Sequence, residues 1–208
     1  MPTPHVIGIV SYKGGVGKST TAVALASCLG AAGQVPVILD ADGQQDSKAY
    51  RDEAIAGGKG FICPVASVSP ETIDARLSEI GEVADYVFLD CPPDVHVFSP
   101  LITRCEMAIV PTTPSKADYR GAKRVIEVLS DFGIPYGMLV TRSERRRMDR
   151  RIAGWVARDR IDVFDTVIPD RQFVREIFGE PFKPKQLHEL RYDRLTVELE
   201  EVLGETTQ

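Results

Sequence analysis

Lys13-Gly14-Gly15-Val16-Gly17-Lys18-Ser19-Thr20 is the stretch on which the reading of this chain turns. A nearly all-apolar run at 6–10 precedes it, as expected of a strand buried on both faces. A segment of small and apolar residues at 20–32 follows and reads as a helix stopped by Gly33. A phosphate needs several backbone N–H groups at close range, and side chains would block that approach. Glycines at 14, 15 and 17 open it, and the helix behind them adds the positive end of its dipole. Lys18 is placed to reach the β- and γ-phosphates of a nucleotide, and Ser19 to offer a hydroxyl to Mg²⁺. The common phosphate-loop pattern wants glycine at position 12, where Tyr12 stands, and Lys13 brings a second lysine. A glycine turn with two solvated lysines is the plainer alternative, and the strand–loop–helix context argues against it.

Outward from the loop, short apolar runs alternate with longer amphipathic ones. Strands are expected at 35–39, 61–65, 86–89, 107–110, 137–140 and 166–168. Helices are expected at 48–55, from Ser69 as N-cap with Pro70 behind it to Gly81, at 119–132 before Gly133, and at 145–158, 171–178 and 190–203. The alternation implies an α/β fold: one P-loop domain over 1–208, a mostly parallel twisted sheet with helices on both faces. With 208 residues, 43% hydrophobic and 26% charged, the chain can bury a sizeable core. It opens directly into a strand rather than a signal peptide, and no apolar run approaches the ~18 residues of a membrane span. A net charge of −5 gives no overall attraction to nucleic acid or anionic lipid, so such binding would need a local patch. Cys28, Cys63, Cys91 and Cys105 form no CxxC pair and no zinc spacing, and read as free thiols in a reducing cytosol.

Two acidic segments close apolar runs: Asp40-Ala41-Asp42-Gly43-Gln44-Gln45 and Asp90-Cys91-Pro92-Pro93. Carboxylates at the C-terminal ends of parallel strands face the ligand crevice. Asp90 there is a hard oxygen ligand for Mg²⁺, held through water. The loop with its two lysines resembles the deviant Walker A of the ParA/MinD superfamily, and further matches carry the resemblance from residue 6 to about residue 181. It implies an ATPase that binds ATP and Mg²⁺ through Lys13 to Thr20. It also implies that Lys13 reaches across a homodimer interface to the partner's nucleotide. A cation beside the bridging oxygen stabilises charge on the leaving group, and supplying it from the partner makes hydrolysis depend on dimerisation. By the same resemblance Asp42 orients the attacking water and completes a catalytic set with Lys13 and Lys18, while Asp40 lies near Mg²⁺ with Ser19 and Asp90. Gly43 stands where the family usually has proline. Thr141-Arg142 and Pro169-Asp170 match segments that frame the adenine, and 111–115 resembles another loop of the family.

Features beyond the loop narrow the choice of member. A MinD-type membrane helix carries lysines, whereas 195–203 is acidic and would be repelled by anionic lipid. The surroundings of Cys91 and Cys105 do not resemble cluster-binding loops of an iron–sulfur reductase. Between Arg142 and Arg160 lie eight arginines and three acids, net +5. Arg145, Arg146, Arg147, Arg150 and Arg151 suit non-specific phosphate contact with DNA. A solvated helix, or one paired to the acidic C-terminal helix, is the alternative. The loop begins about a dozen residues in, as in short ParA proteins without a DNA-reading domain of their own. The expectation is a cytoplasmic, nucleoid-associated ATPase, slow and stimulated by its partner. It would dimerise on ATP and partition a plasmid or chromosome with a ParB-like centromere- or cargo-binding protein, without a membrane. A MinD-like, carboxysome- or chemoreceptor-positioning ATPase is the alternative.

Overall fold

The structure is a computed structural model that describes residues 3–61, 63–144, 148 and 150–206. Its strands are β1 (His5–Ile9), β2 (Pro36–Asp40), β3 (Val65–Ser67), β4 (Tyr86–Asp90), β5 (Met107–Thr112) and β6 (Tyr136–Val140). They form one sheet in the order β3-β2-β4-β1-β5-β6, every pairing parallel. The helices are α1 (Lys18–Ala31), α2 (Asp46–Ala56), α3 (Ile73–Ile80), α4 (Val95–Ile102), α5 (Lys116–Asp131), α6 (Arg150–Asp159), α7 (Phe173–Glu176), α8 (Pro184–Leu190) and α9 (Tyr192–Thr206).

The two-residue side-chain period of a strand divides the core in two. Ile7, Ile38 and Phe88 meet Leu25 and Leu29 of α1 and Leu195, Leu199 and Leu203 of α9. Leu39, Val87 and Leu89 meet Phe98 of α4, Val125 and Leu129 of α5, and Ile152 and Val156 of α6. Strands covered on both faces explain why the apolar runs are nearly continuous. Gly33 (φ 90°) and Gly133 (φ 68°) stop α1 and α5 in the left-handed conformation expected of them. All four cysteines are free.

Some expected elements move. The strand at 61–65 falls at Val65–Ser67, paired with Ile38 to Asp40, while Phe61 packs its ring on Tyr50 instead. Ser69 does not cap α3: it opens a turn in which its carbonyl accepts Thr72 N and Ile73 N, both at 3.0 Å, and the helix begins at Ile73. The run 166–168 is no strand, although isolated bridges on either side join Val163 to Met138 and Pro169 to Ser143. The Glu198 carboxylate takes the N–H of Asp165 and that of Thr166, and a continuous ladder with β6 would need the second of these. The helix at 171–178 shrinks to α7, and the helix at 145–158 begins, among the described residues, at Arg150. Sequence reasoning passed over α4, which carries Pro100 inside it and is capped by Asp94 accepting His96 N at 2.9 Å. It also passed over α8, cut from α9 by left-handed Arg191 (φ 67°).

Gly137 of β6 tests the packing. A Cβ there would lie 2.4–2.9 Å from three atoms of the buried Phe164 ring. Gly137→Ala is therefore expected to cost about 1–3 kcal/mol in urea unfolding, and Phe164→Leu added to it should restore part of the loss.

Candidate functional site

Parallel pairing places all six strand C-termini on one edge, and the site is built there. Gly15 (φ 79°) and Gly17 (φ 98°) adopt left-handed angles in the loop between β1 and α1. Gly17 is the N-cap residue of α1, no side chain caps that end, and its first turn carries no acid. The first α-helical bond in the turn runs from Thr21 N to Gly17 O, so the N–H groups of Lys18, Ser19 and Thr20 have no partner within the helix. An uncapped helix N-terminus behind glycines is an anion site. The loop is pinned to the sheet by Thr141, whose hydroxyl lies 2.7 Å from Val16 O and 3.2 Å from Thr112 O.

Asp40 and Asp90 are direct register partners at the ends of β2 and β4. Both are buried, and burial pushes both carboxyls up, that of Asp90 to about 6, with the Ser47 hydroxyl opposing at Asp90 and backbone N–H groups opposing at Asp40. Both Asp40 oxygens accept backbone N–H groups, from Asp42 at 3.1 Å and Lys48 at 3.0 Å. At Asp90, Oδ2 accepts the Ser47 hydroxyl at 2.7 Å, while Oδ1 has no hydrogen-bond partner among the described residues. The two carboxylates thus carry the first turn of α2 between them. A buried carboxylate oxygen left open beside Ser19 fits a divalent cation. Among the described residues no group of three or more His, Cys, Asp or Glu is arranged to hold a metal alone. That is the donor set for Mg²⁺ carried in with phosphates rather than caged by protein.

Lys18 is buried, with Nζ 3.6 Å from Asp42 Oδ2. Lys18, Ser19, Thr20, Asp42, Gly14 and Gly15 line one cleft, closed on its far side by Tyr50, Phe178 and Phe182. Thr141, Arg142, Pro169 and Asp170 come together with Gly17, Thr20 and Tyr192 in an adjoining cleft. Arg142 (φ 50°) lines both. Val16 is buried and meets the site only through its backbone. Lys13 stands apart: it lines a separate groove against α5, with Nζ 3.0 Å from Asp118 Oδ1.

Arg145, Arg146 and Arg147 lie outside the described residues, while Arg150 and Arg151 are exposed on α6. That helix is held to α5 by Tyr119, whose ring lies 5.2 Å from Trp155 and whose hydroxyl donates to Asp159 at 2.8 Å. It buries Ile152 and Val156 on the sheet face opposite α9, so pairing with the acidic C-terminal helix is ruled out for the α6 arginines. Sequence reasoning missed Ser47, Tyr192 and Asp118. Ser47 and Tyr192 carry no local signal. Asp118 does, in the Ser115-x-x-Asp118 spacing of a helix start, since Ser115 Oγ accepts Asp118 N at 3.1 Å.

Residues 7–181 match the family model described as the CobQ/CobB/MinD/ParA nucleotide binding domain. The chain is 29% identical over 154 residues to the maintenance of carboxysome distribution protein A of Gloeobacter kilaueensis, covering 72% of this chain and 68% of that one. It is 27% identical over 228 residues to the chromosome partitioning protein ParA of Caulobacter vibrioides, 85% of each being covered. Its fold superposes with TM-score 0.77 on the septum site-determining protein MinD of Pyrococcus horikoshii, complexed with Mg-ADP, at 22% identity over 98% of each chain.

The open Asp90 oxygen has a pH signature. Its folded-state pKa, about 6, lies above the unfolded value of about 3.9. Between those values the folded protein holds a proton that the unfolded chain does not, so stability falls as pH rises through this window. Metal-free protein is expected to lose about 2 kcal/mol from this group between pH 4 and pH 6. Urea unfolding of Asp90→Asn should show a flatter pH dependence there, and an unchanged slope would contradict the assignment.

Proposed function

The chain belongs to the CobQ/CobB/MinD/ParA nucleotide-binding domain family, and from that premise we propose that it is an ATPase that assembles on ATP and positions a DNA cargo. The observation that carries the ATPase reading is the convergence at one strand edge of three features: the uncapped α1 terminus, buried Lys18 and the open Asp90 oxygen. Lys13, Gly14, Gly15, Val16, Gly17, Lys18, Ser19 and Thr20 cradle the triphosphate, and Thr141, Arg142, Pro169 and Asp170 frame the base. Ser19 and Asp90, with Asp40 behind them, would hold Mg²⁺, which when bound would neutralise phosphate charge.

In this reading Asp42 neutralises Lys18 until phosphates arrive. Lys18 then turns to the phosphates, and the freed Asp42 carboxylate orients the attacking water. Movement of Asp42 pulls on Asp40 through its own N–H, and Asp40 carries Lys48 and α2. Nucleotide state is thereby passed to the surface. Two protomers meet face to face, and each Lys13 works on the other's nucleotide. ATP turnover is slow until a ParB-like protein on the cargo stimulates it.

DNA is favoured as the track by the exposed Arg150 and Arg151 on α6, beside Arg145, Arg146 and Arg147 in sequence, in an otherwise acidic chain. The ParA relative, covered over 85% of its length, supports the same choice. A second reading, positioning of a protein compartment such as the carboxysome, is favoured by the Gloeobacter relative. Among the described residues no helix is long and apolar enough to cross a membrane.

Lys18→Ala is expected to abolish ATP hydrolysis, and Asp42→Ala to trap an ATP-bound dimer visible by light scattering. Arg150→Ala with Arg151→Ala should weaken ATP-dependent retention on DNA and, with two arginines lost from each protomer, lower its log–log salt slope by about 4. Wild-type protein that ignores DNA at every nucleotide state, while still hydrolysing ATP, would move the assignment to the compartment reading.

A further inference from the structure

We propose that Asp118 is the resting counter-ion of Lys13, holding that lysine on its own subunit until ATP-driven association draws it away. This rests on the role given to Lys13 above. The lysine side chain is 66% exposed, yet its amine sits 3.0 Å from a carboxylate that is only 8% exposed. That carboxylate is fixed. Its other oxygen takes the Thr113 hydroxyl, and the backbone N–H of Asp118 donates to Ser115 Oγ at the capped start of α5. Burial works against the Asp118 charge, but hydrogen bonds from Thr113, Lys13 and Ser115 outweigh it and hold the carboxyl below its usual range.

The neighbouring residue is gripped by the same helix. A Cβ on Gly121 would lie 3.4 Å from Tyr12 Cβ, and the Arg124 guanidinium stands 5.3 Å above the Tyr12 ring. Residues 118, 121 and 124 are spaced three apart, so one stripe of α5 seats Tyr12 and Lys13 together. Ser11 tightens the bend from below, its hydroxyl donating to Lys13 O at 2.8 Å. Lys13 consequently points along α5 and not into the cleft that Lys18 lines. To serve a second protomer it must leave Asp118. An exposed pair of this kind biases an equilibrium by only about two- to fivefold, enough to set a threshold and weak enough to release.

Asp118→Asn keeps the size of the side chain and removes the charge. In nucleotide-free protein, acetylation of Lys13 by acetic anhydride, followed by mass spectrometry, is expected to rise about two- to fivefold over wild type. With ATPγS, the dimer dissociation constant should fall roughly four- to twenty-fivefold, since two latches open. In a Lys13→Ala background Asp118→Asn should then change nothing further. Thr113→Val, which loosens Asp118 and leaves its charge, should move both readouts the same way by less, and it stands in should Asp118→Asn fold poorly. Equal Lys13 labelling in variant and wild type overturns this proposal alone, and so does weakened association. Wild-type protein that stays monomeric with saturating ATPγS overturns the dimer reading, and this proposal with it.

Discussion

The direct pairing of Asp40 with Asp90 across β2 and β4 is the constraint from which the site follows. Two carboxylates side by side at a buried strand edge repel each other and lose solvation, and each is drawn upward in pKa by burial. The fold offsets this by sending hydrogen-bond donors to them. Asp40 takes two backbone N–H groups, and Asp90 takes the Ser47 hydroxyl. All three donors come from residues 42–48, so the chain after β2 must fold back over the strand ends. One oxygen, Asp90 Oδ1, remains unserved. It is the point at which the protein alone is electrostatically incomplete.

The other half of the site is electropositive. Glycines free the loop to take left-handed angles, α1 starts without a cap, and Lys18 is buried beside the acids. Thr141 joins this half to the far strands by lying against carbonyls of the loop and of β5. Positive loop and negative strand ends therefore belong to one rigid edge, with Asp42 and Lys18 the pair that spans them. A triphosphate with its cation carries both signs in the complementary order, which is why this arrangement suits it better than a simple anion.

Other elements are hung on that edge by a few named contacts. The segment from Ala41 to Ser47 is held by Ala41 and Ser47 against β4, with Gly43 exposed between them, and α2 is tied onward by Tyr50, whose hydroxyl lies 2.6 Å from Glu180 O and 3.0 Å from Ile177 O. Through Tyr50, α2 is joined to the 177–182 segment, whose Phe178 and Phe182 line the cleft. The α5–α6 face is tied to the loop by a different route, Tyr12 and Lys13 against α5.

The sequence by itself determined what depends on local backbone and on periodicity. The strand–glycine loop–helix unit, the buried parallel strands, the two strand-end aspartates and the helix-stopping glycines at 33 and 133 were all legible, because each is written in neighbouring residues. Boundaries failed where a distant group intervened. Glu198 took the Thr166 N–H from the run expected as a strand at 166–168, and left-handed Arg191 set the start of the last helix at Tyr192 and parted it from α8, which had not been expected. Only the tertiary structure decided which carboxylate oxygen stays open, that Ser47 reaches Asp90, that Lys13 rests on Asp118, and that the arginine helix and the acidic helix lie on opposite faces of the sheet. Those facts join residues 43 to 105 positions apart or follow from the order of strands, and no local spacing encodes them.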